Sequence, residues 1–476
     1  MQNLQQIYQH AIDNGDLDTA EQALRATLAK VPHDNHMRLN LANFLVQYRS
    51  GLGAAELFTE SDPDNLFNRA YYLSKAHRSD EAIAQYQRAI DAGLSDAHEA
   101  YCNIGSLYRD QHNQDDQAEQ AFVKALQLSP GYSAAIINLA NLYEDRGFKD
   151  KAENLLSQIS ERDPYYPQAL CRLAGLGVNE AINRALHQQL RQQSLDPETR
   201  CDMLYAIGHQ WDKLGEYDHA KRAFDAANQL NQQLIPRFDN TAWQARLDET
   251  LAGVNTKDLS PVSDETVFFI CGMFRSGSTL LEQMLAAHPD IAAGGELTFF
   301  PQLAAKRFED TVSELTKYRA QLQSARQSKR LVSDKRNDNI WHIDLIKALF
   351  PNAKIFITDR NSDDCALSIY QQRLGPSMNY ACDMTHIKQY ESHCEALREH
   401  WLQKYPGDVL IISYEDIISE PQKTISTALN HLGRSWNDAC LDFQKLRNTV
   451  KTASVWQVRQ PLNDRSIGRA KNYLKG

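Results

Sequence analysis

The chain has 476 residues, 42% hydrophobic and 24% charged, with a formal net charge of −10. That length exceeds one ordinary core and predicts two or three domains. The acidic balance excludes a global attraction to nucleic acid or to acidic membrane surfaces. No stretch is apolar enough to span a membrane, and the start, MQNLQQIYQHAIDNGDLD, lacks the basic-then-apolar pattern of a secretory leader. The eight cysteines are scattered without a CxxC, which predicts reduced, mostly buried thiols rather than a zinc site or a disulfide framework. The expectation is a cytoplasmic protein with no nucleic-acid or membrane partner.

The first half carries an internal repeat. Ala118, Phe122, Ala125 and Pro130 follow Ile104, Gly105 and Tyr108; Ala152, Leu156 and Pro164 follow Leu139, Ala140, Tyr143 and Gly147. Pro130 and Pro164 are 34 residues apart, the tetratricopeptide (TPR) period. Ala82, Tyr86 and Ala89, and earlier Ala20, Leu24 and Pro32, repeat the second-helix pattern. The unit from Leu41 to Pro63 is shortened. The pattern weakens after Pro164 and returns in Ile207, Gly208, Trp211, Gly215, Ala220, Phe224 and Ala227. Small residues let paired helices approach, large ones fill the gap to the next pair, and proline stops the second helix. An irregular helical bundle is the plain alternative. Such arrays present a concave face that takes a peptide or protein segment. The expected solenoid covers 1–235, followed by a linking helix and boundary over 236–262. The Ser/Pro/Asp-rich DLSPVSDE at 258–265 marks the passage from this boundary into the next domain.

From Thr266 the period changes. VFFICGM, RLVSDK (330–335), KIFITD (354–359) and VLIISYE (409–415) read as short buried strands alternating with helices. This predicts a three-layer α/β domain over 263–476 with a mainly parallel sheet, whose ligand lies beyond the carboxyl ends of the strands. The first strand runs into GMFRSGST (272–279), a GxxxxGST that matches the phosphate-loop framework GxxxxGK[ST] except that serine replaces lysine. A strand, a tight turn and a helix start make an anion site. Without the lysine that reaches the β/γ-phosphates, ATP chemistry is disfavoured, while a nucleotide 5′-phosphate still suits the loop.

Four groups fall at strand ends: Arg275 to Thr279; Glu296, after Gly294 and Gly295; Lys335, ending RLVSDK; and Arg360, ending KIFITD, with Ser368 on the following helix. One reading joins them. The loop holds one phosphate, Arg360 and Ser368 hold a second, Lys335 and Arg275 stabilise a transferring anionic group, and Glu296 takes a proton from an acceptor. Each has a plain alternative: a surface ion pair for the arginine, a helix hydroxyl for Ser368, a helix cap for Glu296, and a solvated basic patch for Lys335 with Lys329, Arg330 and Arg336.

These residues resemble the P-loop sulfotransferases that use 3′-phosphoadenosine 5′-phosphosulfate (PAPS). They are most similar to bacterial TPR-containing members, which resemble the protein-tyrosine sulfotransferases. The likeness rests on GMFRSGSTLLEQMLAAHPDIAAGGEL (272–297), SDKRNDN (333–339), FPNAKIFITDRNSDDCALSIY (350–370), ISYEDII (412–418), VKTASVWQVRQP (450–461) and SIGRAKNY (466–473), together with the repeat at 207–230. The resemblance implies that Arg275, Ser276, Gly277, Ser278 and Thr279 hold the 5′-phosphosulfate and that Arg360 and Ser368 hold the 3′-phosphate. It implies Glu296 as catalytic base, Lys335 and Ser454 as groups that stabilise the transferring sulfuryl, and Tyr414 and Arg469 as further cofactor contacts. It also implies PAPS as co-substrate, 3′,5′-ADP (PAP) as product and no metal. The chain departs from the family's pattern at Phe274, at Arg336-Asn337, at Asn361-Ser362 and at Ala470, which leaves loop shape and acceptor preference open.

The expected activity is sulfuryl transfer to an acceptor hydroxyl, with a peptide or protein tyrosine favoured and recruited by the TPR array. The basic cluster of Lys329, Arg330, Lys335 and Arg336 is read as favouring acidic flanks around that tyrosine. A second copy of the chain, as a homodimer, is carried as a further partner. The rivals are a carbohydrate or small-molecule acceptor, a kinase-like phosphotransferase and a non-catalytic TPR scaffold.

Overall fold

The computed structural model describes residues 2–59, 61–110, 114–254, 256, 259–262, 266–306, 308, 311–452 and 454–473. Positions 258 and 263–265 of the expected boundary, and 255 and 257 of the stretch before it, lie outside the described residues. The chain divides into two compact units, Met1–Tyr143 with Asp150–Tyr166, and Glu144–Lys149 with Pro167–Gly476.

The first unit is a run of paired helices. The spacing that announced the repeat is the spacing of the helix contacts. Ala118 and Ala125 are fully buried on Asp115–Leu128, with Phe122 between them. Opposite Phe122, on Ala97–Asp110, stands Gly105; a Cβ there would lie 2.6 Å from the Phe122 ring. Glycine lets the two helices close, and phenylalanine fills the gap. Helix starts are marked by side-chain caps. Asp62 accepts the N–H of Asn65 ahead of Pro63–Lys75, with proline at the first position where no donor is missed. The shortened unit is visible as Asn35–Tyr48 paired with a second helix of five residues, Gly51–Ala55.

In the second unit the same contact recurs: a Cβ on Gly208 (Pro197–Lys213) would meet Phe224 (Tyr217–Leu234) at 2.6 Å. These repeat-like helices share the unit with the sheet. Asn228 donates to the Tyr370 carbonyl and Gln232 to that of Cys382. The expected linking helix spans Asn240–Ala252 and packs on Met384–Lys404, where the Trp243 ring meets Tyr390 edge-on at 4.9 Å.

The sheet has five parallel strands: β1 (Val267–Gly272), β2 (Ile291–Ala292), β3 (Leu331–Lys335), β4 (Ile355–Asp359) and β5 (Val409–Ser413), in the order β2-β3-β1-β4-β5. Continuous apolar runs were the clue, because both faces are covered. Phe268, Ile270 and Phe356 pack with Leu281, Leu285 and Leu429 on one face. Phe269, Cys271, Ile355 and Ile357 pack with Trp341, Ile346 and Trp401 on the other. The expected fourth strand is shorter than read. It ends at Ser413, whose hydroxyl accepts the Asp416 N–H, so Tyr414 opens the helix Tyr414–Ser419. Two-residue β2 left no pattern in the sequence. The chain leaves β1 toward β2 and leaves β4 toward β5, on the other side. The loops after β1 and β4 therefore diverge above a crevice at the carboxyl ends.

Candidate functional site

The crevice begins where β1 meets β4. Gly272 has φ +133°, and a Cβ there would lie 2.6 Å from the Thr358 carbonyl oxygen, so only glycine lets the turn start this close to β4. Arg275 itself has φ +67°, a left-handed conformation uncommon for a residue with a side chain, held inside the turn. Gly277 precedes the helix Ser278–Ala286, whose first-turn N–H groups and positive dipole end lie at the crevice.

Two arginines meet there. The Arg275 guanidinium donates to Ser368 Oγ at 2.9 Å, Ser454 Oγ at 2.5 Å and Gln457 Oε1 at 3.0 Å. The Arg360 guanidinium donates to the carbonyls of Arg275 at 3.1 Å and Ser466 at 2.6 Å, and lies over the Tyr414 ring at 4.8 Å. Its buried Nε has no acceptor among the described residues. Among the described residues neither arginine pairs with a carboxylate. Burial, with the charges of Arg360 and Arg469 nearby, holds Arg275 down to about 10. Two neighbouring cations without counter-charge, one with an orphaned donor, fit an anionic ligand with more than one phosphate-like group.

Lys335 ends β3 fully buried, and its Nζ donates to Glu296 Oε1 at 2.5 Å. Glu296 caps no helix; Thr298 stands at the start of Phe299–Ala305. Beneath the Gly294–Glu296 turn sits a second acid. Glu282 accepts Ser333 Oγ–H at 2.6 Å and the Gly295 N–H at 3.1 Å, and burial pushes its carboxyl up against the pull of Lys335.

A cavity of about 710 Å³ joins these groups, a size suited to a nucleotide-like molecule. Arg275, Gly277, Ser278, Thr279, Glu296, Arg360, Ser368, Tyr414, Ser454 and Arg469 all line it. Lys335 reaches it through Glu296. Ser276 is turned inward: its hydroxyl bonds the Met273 carbonyl at 2.5 Å and Thr358 Oγ1 at 2.6 Å. Arg469 is engaged by Asp212, whose other oxygen takes the Tyr473 hydroxyl. Burial opposes the charge on Arg469, and Asp212 outweighs it, so the guanidinium is held above its usual range. The basic cluster read from 329–336 is not one patch. β3 separates its halves, with Lys329 donating to the carbonyls of Ala286 and Ile291 at one end and Lys335 at the other. Among the described residues no group of three or more His, Cys, Asp or Glu side chains is placed to share a metal ion.

The sulfotransferase family model matches residues 268–327 and 311–438, the stretch that supplies the loop, Glu296, Lys335, Arg360 and Ser368. Residues 268–438 are a sulfotransferase domain. Tetratricopeptide-repeat models match 9–65, 67–133 and 111–170. An uncharacterized Aquifex aeolicus protein is 24% identical over 97% of this chain and 66% of its own length. The Drosophila melanogaster protein-tyrosine sulfotransferase is 24% identical over 53% of this chain and 54% of its own. The chain thus spans about half to two thirds of these relatives. A sulfotransferase domain from the Synechococcus PCC 7002 olefin synthase aligns at TM-score 0.32 and 17% identity, over 46% of this chain and 97% of that one.

The sulfotransferase domain does not line the cavity alone. His209 and Lys213, on the repeat-like helix Pro197–Lys213, and Lys149 also form its wall. Burial first, and then Lys213, hold His209 down to about 4, so its imidazole is neutral. The repeat pattern of this helix lies in its small and apolar residues, and its polar face at 209, 212 and 213 belongs to no part of that pattern. That i, i+3, i+4 stripe was the available signal. Phe274 and Asn337, two departures from the family pattern, are also wall residues. Asn337 donates to the Met273 carbonyl at 2.8 Å and accepts Ser278 Oγ–H at 3.2 Å, which props the turn. Asp364, also missed, holds the 468–470 turn through the N–H groups of Gly468 and Ala470.

Proposed function

We propose that the protein transfers a sulfuryl group from PAPS to the hydroxyl of a peptide or protein tyrosine. The observation that carries this is that one cavity is lined by two arginines without carboxylate partners among the described residues and by Glu296, which is bonded to Lys335 at the end of the neighbouring strand β3. The loop N–H groups and Arg275 would hold the 5′-phosphosulfate. Arg360, with its unused Nε and with Ser368 and Arg469 nearby, would hold the 3′-phosphate; Tyr414 would pack beside it. Bound PAPS supplies an activated sulfuryl and leaves as 3′,5′-ADP. Glu296 takes the proton from the acceptor oxygen, which a phenol of pKa about 10 needs near neutrality. Lys335, freed from Glu296 as that carboxylate gains its proton, and Arg275, steadied by Ser454, neutralise charge developing on the transferring oxygens. The names of the protein-tyrosine sulfotransferase relatives support tyrosine as acceptor. The TPR unit would recruit the acceptor polypeptide, and the eight free cysteines suit a reducing, cytoplasmic location. No helix among the described residues is long and apolar enough to cross a membrane.

The test uses the full chain, labelled PAPS and tyrosine peptides. Transfer is expected, and Glu296→Ala and Arg275→Ala should each lower it by about 10²–10⁴-fold. Calorimetry should find 3′,5′-ADP bound more tightly than ATP/Mg²⁺. Parental rates in either variant, or the reverse binding order, overturn the assignment.

A further inference from the structure

Beside Glu296 and Lys335 stands a buried acid, Glu282, with no part in the transfer step itself. Glu282 lies on the first helix after the loop, 3% exposed, and both of its donors among the described residues support the segment that ends in Glu296. The Gly295 N–H reaches its Oε1 directly at 3.1 Å. The Gly294 N–H reaches Ser333 Oγ at 3.1 Å, and that hydroxyl donates onward to the same Glu282 oxygen at 2.6 Å. From the other side the Gly295 carbonyl accepts the Lys335 N–H at 2.9 Å. A Cβ on Gly294 would fall 2.0 Å from the Ser333 carbonyl oxygen, so the turn is seated directly on β3. Every peptide group leading into Glu296 is thus fixed by Glu282, Ser333 or the Lys335 backbone.

We propose that Glu282 is a positioning residue for Glu296: its carboxylate oxygen anchors the Gly294–Gly295 turn and so aims the Glu296 carboxylate at Lys335 and the acceptor. The inference rests on the assignment of Glu296 as base. A neutral amide oxygen accepts the same two hydrogen bonds, so the role belongs to the acceptor atom and not to the charge. Misaiming a base by about 1 Å costs on the order of 100-fold in rate, while the cofactor groups on the β1 and β4 loops are untouched.

The experiment compares Glu282→Ala, Glu282→Gln and Ser333→Ala in the full chain by three readouts: kcat against KM for PAPS, 3′,5′-ADP affinity, and hydrogen exchange of a peptide covering 291–297. E282A should lose about 10–100-fold in kcat, with KM for PAPS and 3′,5′-ADP affinity within about twofold. Its 291–297 amides should exchange about tenfold faster. E282Q should recover most of both losses, and S333A should show a smaller loss in the same direction. Parental kcat and exchange in E282A, or E282Q as impaired as E282A, overturns the proposal. If E282A fails to fold, S333A with unchanged kcat and exchange does so. A parental protein without transfer activity would refute the sulfotransferase reading, while the exchange comparison still decides whether Glu282 holds the turn.

Discussion

Arg360→Ala separates the two phosphate assignments. In the structure Arg360 uses two of its nitrogens on the carbonyls of Arg275 and Ser466, keeps a buried Nε without an acceptor, and has no carboxylate partner among the described residues. A phosphate placed there gains at least one charge-assisted hydrogen bond, about 1.5–3 kcal/mol, or roughly 10–150-fold in Kd. The two carbonyl bonds add about 1 kcal/mol each to the local fold, which sets a background loss shared by any ligand of the loop. The assay is calorimetric titration of parent and R360A with 3′,5′-ADP and with 5′-AMP, which lacks the 3′-phosphate. The parent should prefer 3′,5′-ADP, and R360A should lose that preference, with 5′-AMP affinity falling only by the background. Equal losses for both nucleotides would refute the 3′-phosphate role and place Arg360 at the 5′ group or in the fold alone.

Two glycines of the repeat-like helices should respond in opposite directions. Gly208→Ala forces a methyl 2.6 Å from the Phe224 ring and should destabilise by about 1–3 kcal/mol. Gly175→Ala, on Tyr166–Leu176 with nothing within 4 Å, should be neutral or stabilising by up to about 1 kcal/mol; urea unfolding of both variants measures this. His209, held down to about 4 by burial and Lys213, takes up a proton in the unfolded chain near pH 6.5 but resists it when folded. Its contribution is therefore present above pH 6.5 and lost as pH falls toward 4. Relative to His209→Gln, the parent should lose about 3 kcal/mol between pH 7 and pH 4, and a stability difference that does not vary with pH would contradict the neutral, partly buried imidazole.

Much of the fold was legible because its signals are local. Gly105 with Phe122 and Gly208 with Phe224 repeat one helix contact, so their spacing carried the pattern. The apolar runs of β1, β4 and β5 showed strands covered on both faces. β2 was not legible, since two residues make no period. The basic run 329–336 misled, because neighbours in sequence lie at opposite ends of a strand.

By itself the sequence determined the helical repeat, the strand–turn–helix at 267–286 and which residues stand at strand ends. Each follows from backbone preferences and side-chain periods over a few residues. Only the tertiary structure decided what those residues meet. Arg275 bridges Ser368 and Ser454, 93 and 179 positions away, and Ser276 turns into the fold instead of the cavity. His209 and Lys213 come to the wall from the repeat-like helices, and Glu282 comes to rest under Glu296. Such meetings depend on how packed layers close over one another, a property of the whole core that no local spacing encodes.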